Sequence, residues 1–158
     1  MQVYAPLWVS LGWVCSSSGF IGLGLIIRDS LGFPLAIGAV RLRASFDPQS
    51  AEAAAILCGI GLARNCTFAP VHMESGSLNV INFLRNGFIP LSDVGSIVSN
   101  ILCPDFISSV LNFSFVPRTA NKVADTLAKA TLGFEFDSFL LEFCPPFVDG
   151  LIQDDRPD

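Results

Sequence analysis

The sequence predicts an α/β fold, with a five-stranded mixed sheet and helices on both faces. Three observations predict it. Residues 7–43 carry three runs rich in β-formers, separated by short Gly/Ser/Asp turns. An alanine-rich, almost wholly apolar run, Ala51–Ala63, then has the length and composition of a buried helix. After it, short apolar runs alternate with stretches of helical spacing. An antiparallel three-strand meander followed by strand–helix alternation leads to a sheet in which the last two strands run parallel.

The elements follow in order. Residues 7–14 (Leu-Trp-Val-Ser-Leu-Gly-Trp-Val) form the first strand, and Ser16-Ser17-Ser18-Gly19 turns the chain. Gly22–Arg28 is the second strand. Asp29-Ser30-Leu31-Gly32 is a hairpin turn, and Pro34–Arg43 returns as the third. Asp47-Pro48-Gln49-Ser50 closes the meander, with Ser50 expected to cap the helix. Gly59 and Gly61 lie within that helix and imply close packing against a neighbour. Pro70–Glu74 is the fourth strand. Ser77–Leu84 is a helix with Leu78, Ile81 and Leu84 inward. Ser92 caps another, carrying Val94, Ile97, Val98 and Ile101, and Pro104 ends it. Val110–Val116 alternates Leu111, Phe113 and Phe115 with polar residues, as a strand does. Asn121–Leu132 is the last helix, with Val123, Ala124, Leu127 and Ala128 on one face and Gly133 as its stop. The body is expected to span residues 1–133, and residues 134–158 to form an acidic tail packed in part against it.

Composition narrows the function classes. The 158 residues are 51% hydrophobic and 15% charged, with a net charge of −5. From Glu135 onward there are seven acids and one base, so the acidity belongs to the tail and the body is near neutral. Eight bases spread over that body are a sparse footprint for a polyanion. The five cysteines are odd in number and none are spaced Cys-x-x-Cys, so buried free thiols are expected. Residues 1–27 are uncharged, but they lack a basic start and are interrupted by Pro6, Gly12 and Ser16-Ser17-Ser18. A span over Phe20–Val40 is broken by Arg28, Asp29 and Pro34. A monomer of the cytoplasm or nucleus, without membrane contact, is expected.

Three stretches carry a family resemblance. They are Gly22-Leu23-Gly24-Leu25-Ile26-Ile27-Arg28-Asp29; Ala51-Glu52-Ala53-Ala54-Ala55-Ile56-Leu57 with Gly61-Leu62-Ala63; and Phe115-Val116-Pro117-Arg118-Thr119-Ala120-Asn121-Lys122-Val123-Ala124-Asp125-Thr126-Leu127-Ala128. In this order the chain resembles type 1 ribonuclease H, of the plant kind related to retroelement reverse transcriptases. The resemblance implies the ribonuclease H-like fold and cleavage of the RNA strand of an RNA–DNA hybrid with two Mg²⁺ ions held by four carboxylates. One ion activates the attacking water and the other stabilises the leaving oxygen, and hard Mg²⁺ needs oxygen ligands.

Residue by residue, the resemblance implies that Glu52 matches the first-helix glutamate and Asp125 the last-helix aspartate. The first-strand aspartate would fall near Val14, and residues 1–28 hold no acid at all. The fourth-strand aspartate falls on Gly76, in Glu74-Ser75-Gly76-Ser77. Glu74 is the one acid at hand to substitute. Arg118 and Asn121 are the candidate nucleic-acid contacts. From the residues alone, Glu52 suits a helix N-terminus and Asp125 can pair with Lys129 at i+4.

With two of four ligands replaced, the expectation is a pseudoenzyme: a hybrid-binding ribonuclease H-like domain that holds Mg²⁺ weakly or not at all and does not cleave. The alternatives are a residual metal-dependent endoribonuclease using Glu52, Asp125 and Glu74, and a protein-interaction domain with an unspecified protein partner and no nucleic-acid role.

Overall fold

The computed structural model describes residues 6–117, 121–133 and 138–141, the last as backbone. The meander is β1 (Leu7–Cys15), β2 (Phe20–Arg28) and β3 (Pro34–Arg43). Next come α1 (Pro48–Asn65), β4 (Val71–Ser75), α2 (Leu78–Asn86), α3 (Val94–Leu102), the single turn α4 (Pro104–Ile107), β5 (Val110–Phe115) and α5 (Lys122–Thr131). A strand not foreseen from the sequence, β6 (Ser138–Leu141), then pairs antiparallel with β3. The strand order is β5-β4-β1-β2-β3-β6, so the expected five-stranded mixed sheet carries a sixth strand at its β3 edge. β1 pairs antiparallel with β2 and parallel with β4, and β4 pairs parallel with β5.

The sheet divides two helical layers. On one face, α1 lies over β1, β2 and β4 and is covered in turn by α2 and α3. Its alanine run is buried nearly throughout, because it has sheet on one side and helices on the other. On the other face, α5 lies on β1, β2 and β3. Gly12, Gly22 and Gly24 make the seat for it: a β-carbon at Gly24 would overlap the Ala124 carbonyl oxygen, and one at Gly12 would stand 2.5 Å from the Asp125 amide nitrogen. Three glycines in adjacent strands thus let helix backbone rest on sheet backbone.

Several local expectations need revision. Asp47, not Ser50, caps α1, accepting a 2.7 Å hydrogen bond from the Ser50 backbone amide. Gly59 is packed as expected, with Leu11, Met73 and Val9 around its would-be β-carbon, but the same position at Gly61 is open. Leu78 is exposed on α2, whose buried face is Val80, Ile81 and Leu84. α3 starts after Asp93, not Ser92. β5 buries only Phe113 of its three alternating apolar residues, because it is an edge strand. Of the four cysteines described, Cys15 and Cys103 are exposed rather than buried, and Cys144 lies outside the described residues. Burial pushes the Cys58 thiol pKa up, which keeps it protonated and inert. Among the described residues no helix is long and apolar enough to cross a membrane.

Candidate functional site

β1 and β4 pair over Leu7↔Val71, Trp8↔His72 and Val9↔Met73, and their paired register ends there. Beyond it the two parallel strands run on toward their C-terminal ends, where a crevice in an open α/β sheet forms. An open cleft of about 370 Å³ lies there. Trp13 of β1, Glu52 of α1, and Gly76 and Ser77 beyond β4 line it, together with Pro48 and Gln49 at the start of α1.

Glu52 is the centre of this cleft. It lies in the second turn of α1, past the first-turn positions where the helix dipole acts most strongly, and is 5% exposed. A carboxylate so enclosed needs partners. Its Oε1 accepts from the Ser75 hydroxyl at 2.6 Å and from the Gly76 amide at 2.9 Å. Its Oε2 accepts from the Trp13 indole Nε1–H at 2.5 Å. Three donors on two oxygens, from two chain segments, take up three of the carboxylate's roughly four acceptor sites. Hydrogen bonds to a charged acceptor contribute about 1.5–3 kcal/mol each.

Asp125 sits in the first turn of α5 and is half-buried. Its Oδ1 comes within 2.6 Å of where a β-carbon on Gly12 would be. Successive β1 residues point to opposite faces. Gly12 faces α5, while Trp13 faces α1. The two retained carboxylates therefore flank β1, one on each face.

The same alternation fixes the face of Val14, the position near which the resemblance puts the first-strand aspartate. Val14 lies on the α5 face, its Cγ1 at 3.2 Å from the would-be β-carbon of Gly22. An acid there would point away from Glu52, and the β1 residue that reaches Glu52 is Trp13. Gly76 stands at the end of β4, with its amide on Glu52.

Glu74 does not join the set. Val71, Met73 and Ser75 form the buried face of β4 toward α1, so His72 and Glu74 project from the other face. Burial pushes the Glu74 pKa up, against the opposing pull of Arg28 and His72. His72 stacks on Trp8 with ring centroids 4.8 Å apart and donates from Nδ1 to Asn112 Oδ1 at 2.5 Å. Among the described residues, no group of three or more His, Cys, Asp or Glu side chains is placed to hold a metal ion.

Of the two expected nucleic-acid contacts, Arg118 lies outside the described residues. Asn121 begins α5 but is 2% exposed, so its side chain is enclosed rather than presented to a ligand. Its Oδ1 is buried and has no hydrogen-bond partner among the described residues. Two exposed arginines are engaged with main-chain carbonyls. Arg64 donates to the Asp105 carbonyl and stacks on Phe106, and Arg85 donates to the Phe113 carbonyl at 2.8 Å. Lys122 and Lys129 of α5 are exposed.

Mg²⁺, the ion the family resemblance implies, does not fit this arrangement. The carboxylates lie on opposite faces of β1, and the hydrogens of three donors point at Glu52 where a cation would sit. Trp13 is the cleft residue that sequence reasoning missed. Its only signal was an aromatic donor on the strand beside an acid-bearing helix, which is too common to single out.

The sequence profile of the reverse transcriptase-like family matches residues 12–131. No curated protein matches the chain by sequence. Among solved structures it is similar to RNase H1 from the halophilic archaeon Halobacterium salinarum NRC-1, with TM-score 0.70, 19% identity, and coverage of 81% of this chain and 98% of that one. It is also similar to the N-terminal RNase H domain of a Mycobacterium tuberculosis protein, with TM-score 0.66, 18% identity, and coverage of 80% and 98%. LC11-RNase H1, solved in complex with an RNA/DNA hybrid, gives TM-score 0.66 and 17% identity over 78% of this chain and 94% of that one. At these identities the likeness establishes a shared fold.

Proposed function

The chain belongs to the reverse transcriptase-like family, and from that membership we propose that it is a ribonuclease H-like domain that binds an RNA–DNA hybrid, or a related nucleic acid, without cleaving it. The observation that carries this reading is Glu52, whose two oxygens accept from Trp13, Ser75 and Gly76. The hybrid bound by LC11-RNase H1, which has the same fold, supports the choice of ligand. The reading includes an origin among plant or retroelement-related ribonuclease H domains, with a degenerate catalytic site.

We place the lost first-strand ligand at Leu11 rather than Val14. Leu11 shares the face of Trp13, and it precedes Gly12, which α5 requires to be glycine. Leu11-Gly12 then stands where the family resemblance implies an Asp-Gly pair, and Gly76 stands for the second lost acid.

Loss of one transition-state electrostatic group costs about a hundredfold in rate, on the order of 3 kcal/mol. Loss of two metal ligands is at least as severe. Incubation of the full chain with a labelled RNA–DNA hybrid and Mg²⁺ or Mn²⁺ is expected to leave the RNA strand intact. Metal-dependent cutting that disappears in Glu52→Gln would overturn the reading. Binding itself is read from affinity against salt, which falls steeply for a polyanion ligand.

A second reading, a protein-interaction domain, is favoured by the engagement of Arg64 and Arg85 with main-chain carbonyls of their own chain. Weak hybrid affinity that is indifferent to salt would select it.

A further inference from the structure

We infer that Glu52 has been turned from a metal ligand into the strut that ties the parted ends of β1 and β4, and that Trp13 is the positioning residue that closes it to cations. The inference deepens the functional reading above and rests on it only in naming Mg²⁺ as the ion shut out. Hybrid binding can fail without touching it.

The argument starts from the sheet. After Val9↔Met73 the paired register of β1 and β4 stops, yet both strands continue, to Cys15 and Ser75. Glu52 stands across this parting. Oε1 takes a hydroxyl and an amide from the end of β4, and Oε2 takes the indole N–H of β1. One side chain from α1 thus supplies the hydrogen-bonded link that the separated backbones no longer make with each other.

The chemistry of the donors excludes an ion from the same place. An indole nitrogen is a donor only and cannot turn to offer a lone pair. Its hydrogen lies on the Oε2 side that faces β1. A cation approaching Glu52 from β1 meets that hydrogen and must first displace a bond made to a buried charge. The Ser75 hydroxyl could rotate and the Gly76 amide cannot, but both are on Oε1. Trp13 is therefore the residue whose removal opens the carboxylate.

The test uses the ¹⁵N-labelled full chain and follows the Trp13 indole and Gly76 amide resonances with and without millimolar Mn²⁺. In the wild type both signals are expected to stay sharp. In Trp13→Phe, which removes one donor and keeps an aromatic ring, the Gly76 amide is expected to broaden with Mn²⁺. Equal broadening of Gly76 in wild type and Trp13→Phe, or no broadening in either, overturns the assignment of Trp13 as the closing residue. Thermal melts supply the structural arm. Glu52→Gln and Trp13→Phe are each expected to lower the melting temperature by roughly 5 °C in EDTA. The double variant is expected to lose less than the sum, because both substitutions break one link. Additive losses, or a wild-type melt raised by Mg²⁺, overturn the strut. If Glu52→Gln does not fold, the wild-type and Trp13→Phe comparison still decides the inference.

Discussion

At the scale of single residues, position and role separate. Glu52, Asp125 and Gly76 were legible in the sequence because short motifs of known spacing contain them. The face each one occupies was not. A strand reverses its faces with every residue, so Leu11 and Val14, on one short strand, belong to different layers. The indole bond of Trp13 to Glu52 joins residues far apart in the chain, and nothing local announces it. Glu74, the possible substitute ligand, shows how burial changes an acid. Its pKa is raised, chiefly by desolvation, with Arg28 and His72 opposing. A raised carboxyl pKa favours the folded state while the group is protonated, and that stability is lost as pH climbs through the folded-state value. Glu74→Gln, which fixes the uncharged form, is therefore expected to melt higher than wild type at neutral pH. The two curves should converge below the ordinary glutamate range, and melting temperature against pH measures this. A wild-type protein that stays the more stable at pH 7 would show that the charged form is the favoured one.

At the scale of elements, most of the chain announced itself. α1 was recognisable because alanine with little polar interruption has few other places in a small domain, and α5 because Val123, Ala124, Leu127 and Ala128 repeat at helical spacing. The turn Asp29–Gly32 was equally plain: Asp29 Oδ1 accepts from the Leu31 and Phe33 amides, and Gly32 has φ 84°. What could not be read was which glycines are packed. Gly24 lies under the α5 backbone, whereas Gly61 has open space around its α-carbon. Opposite consequences follow for the same substitution. Gly24→Ala must push α5 off the sheet and is expected to destabilise by about 3 kcal/mol. Gly61→Ala removes backbone freedom within α1 and is expected to stabilise by about 1 kcal/mol. Urea denaturation of the two variants beside wild type checks both. Similar shifts in the same direction would mean that the helix does not rest on the strands as described.

At the scale of the whole molecule, the sheet order explains the site, because the parting of β1 and β4 falls where α1 and α2 both begin. The mixed sheet and its two helical layers followed from the order of elements. The sixth strand did not, because edge pairing is a backbone interaction and four residues in an acidic tail carry little pattern. β6 covers Ile37–Val40 of β3. Ending the chain at Gly133 should therefore uncover a row of unpaired amides and carbonyls on β3. Sedimentation velocity is expected to show self-association of the shortened chain that grows with concentration, beyond that of the full chain. Identical profiles would deny the strand its role. β6 does not close the sheet: β5 and β6 are its two edge strands among the described residues. What it does is replace the ten-residue edge of β3 with one of four residues, a much shorter row of amides and carbonyls to offer a neighbouring copy.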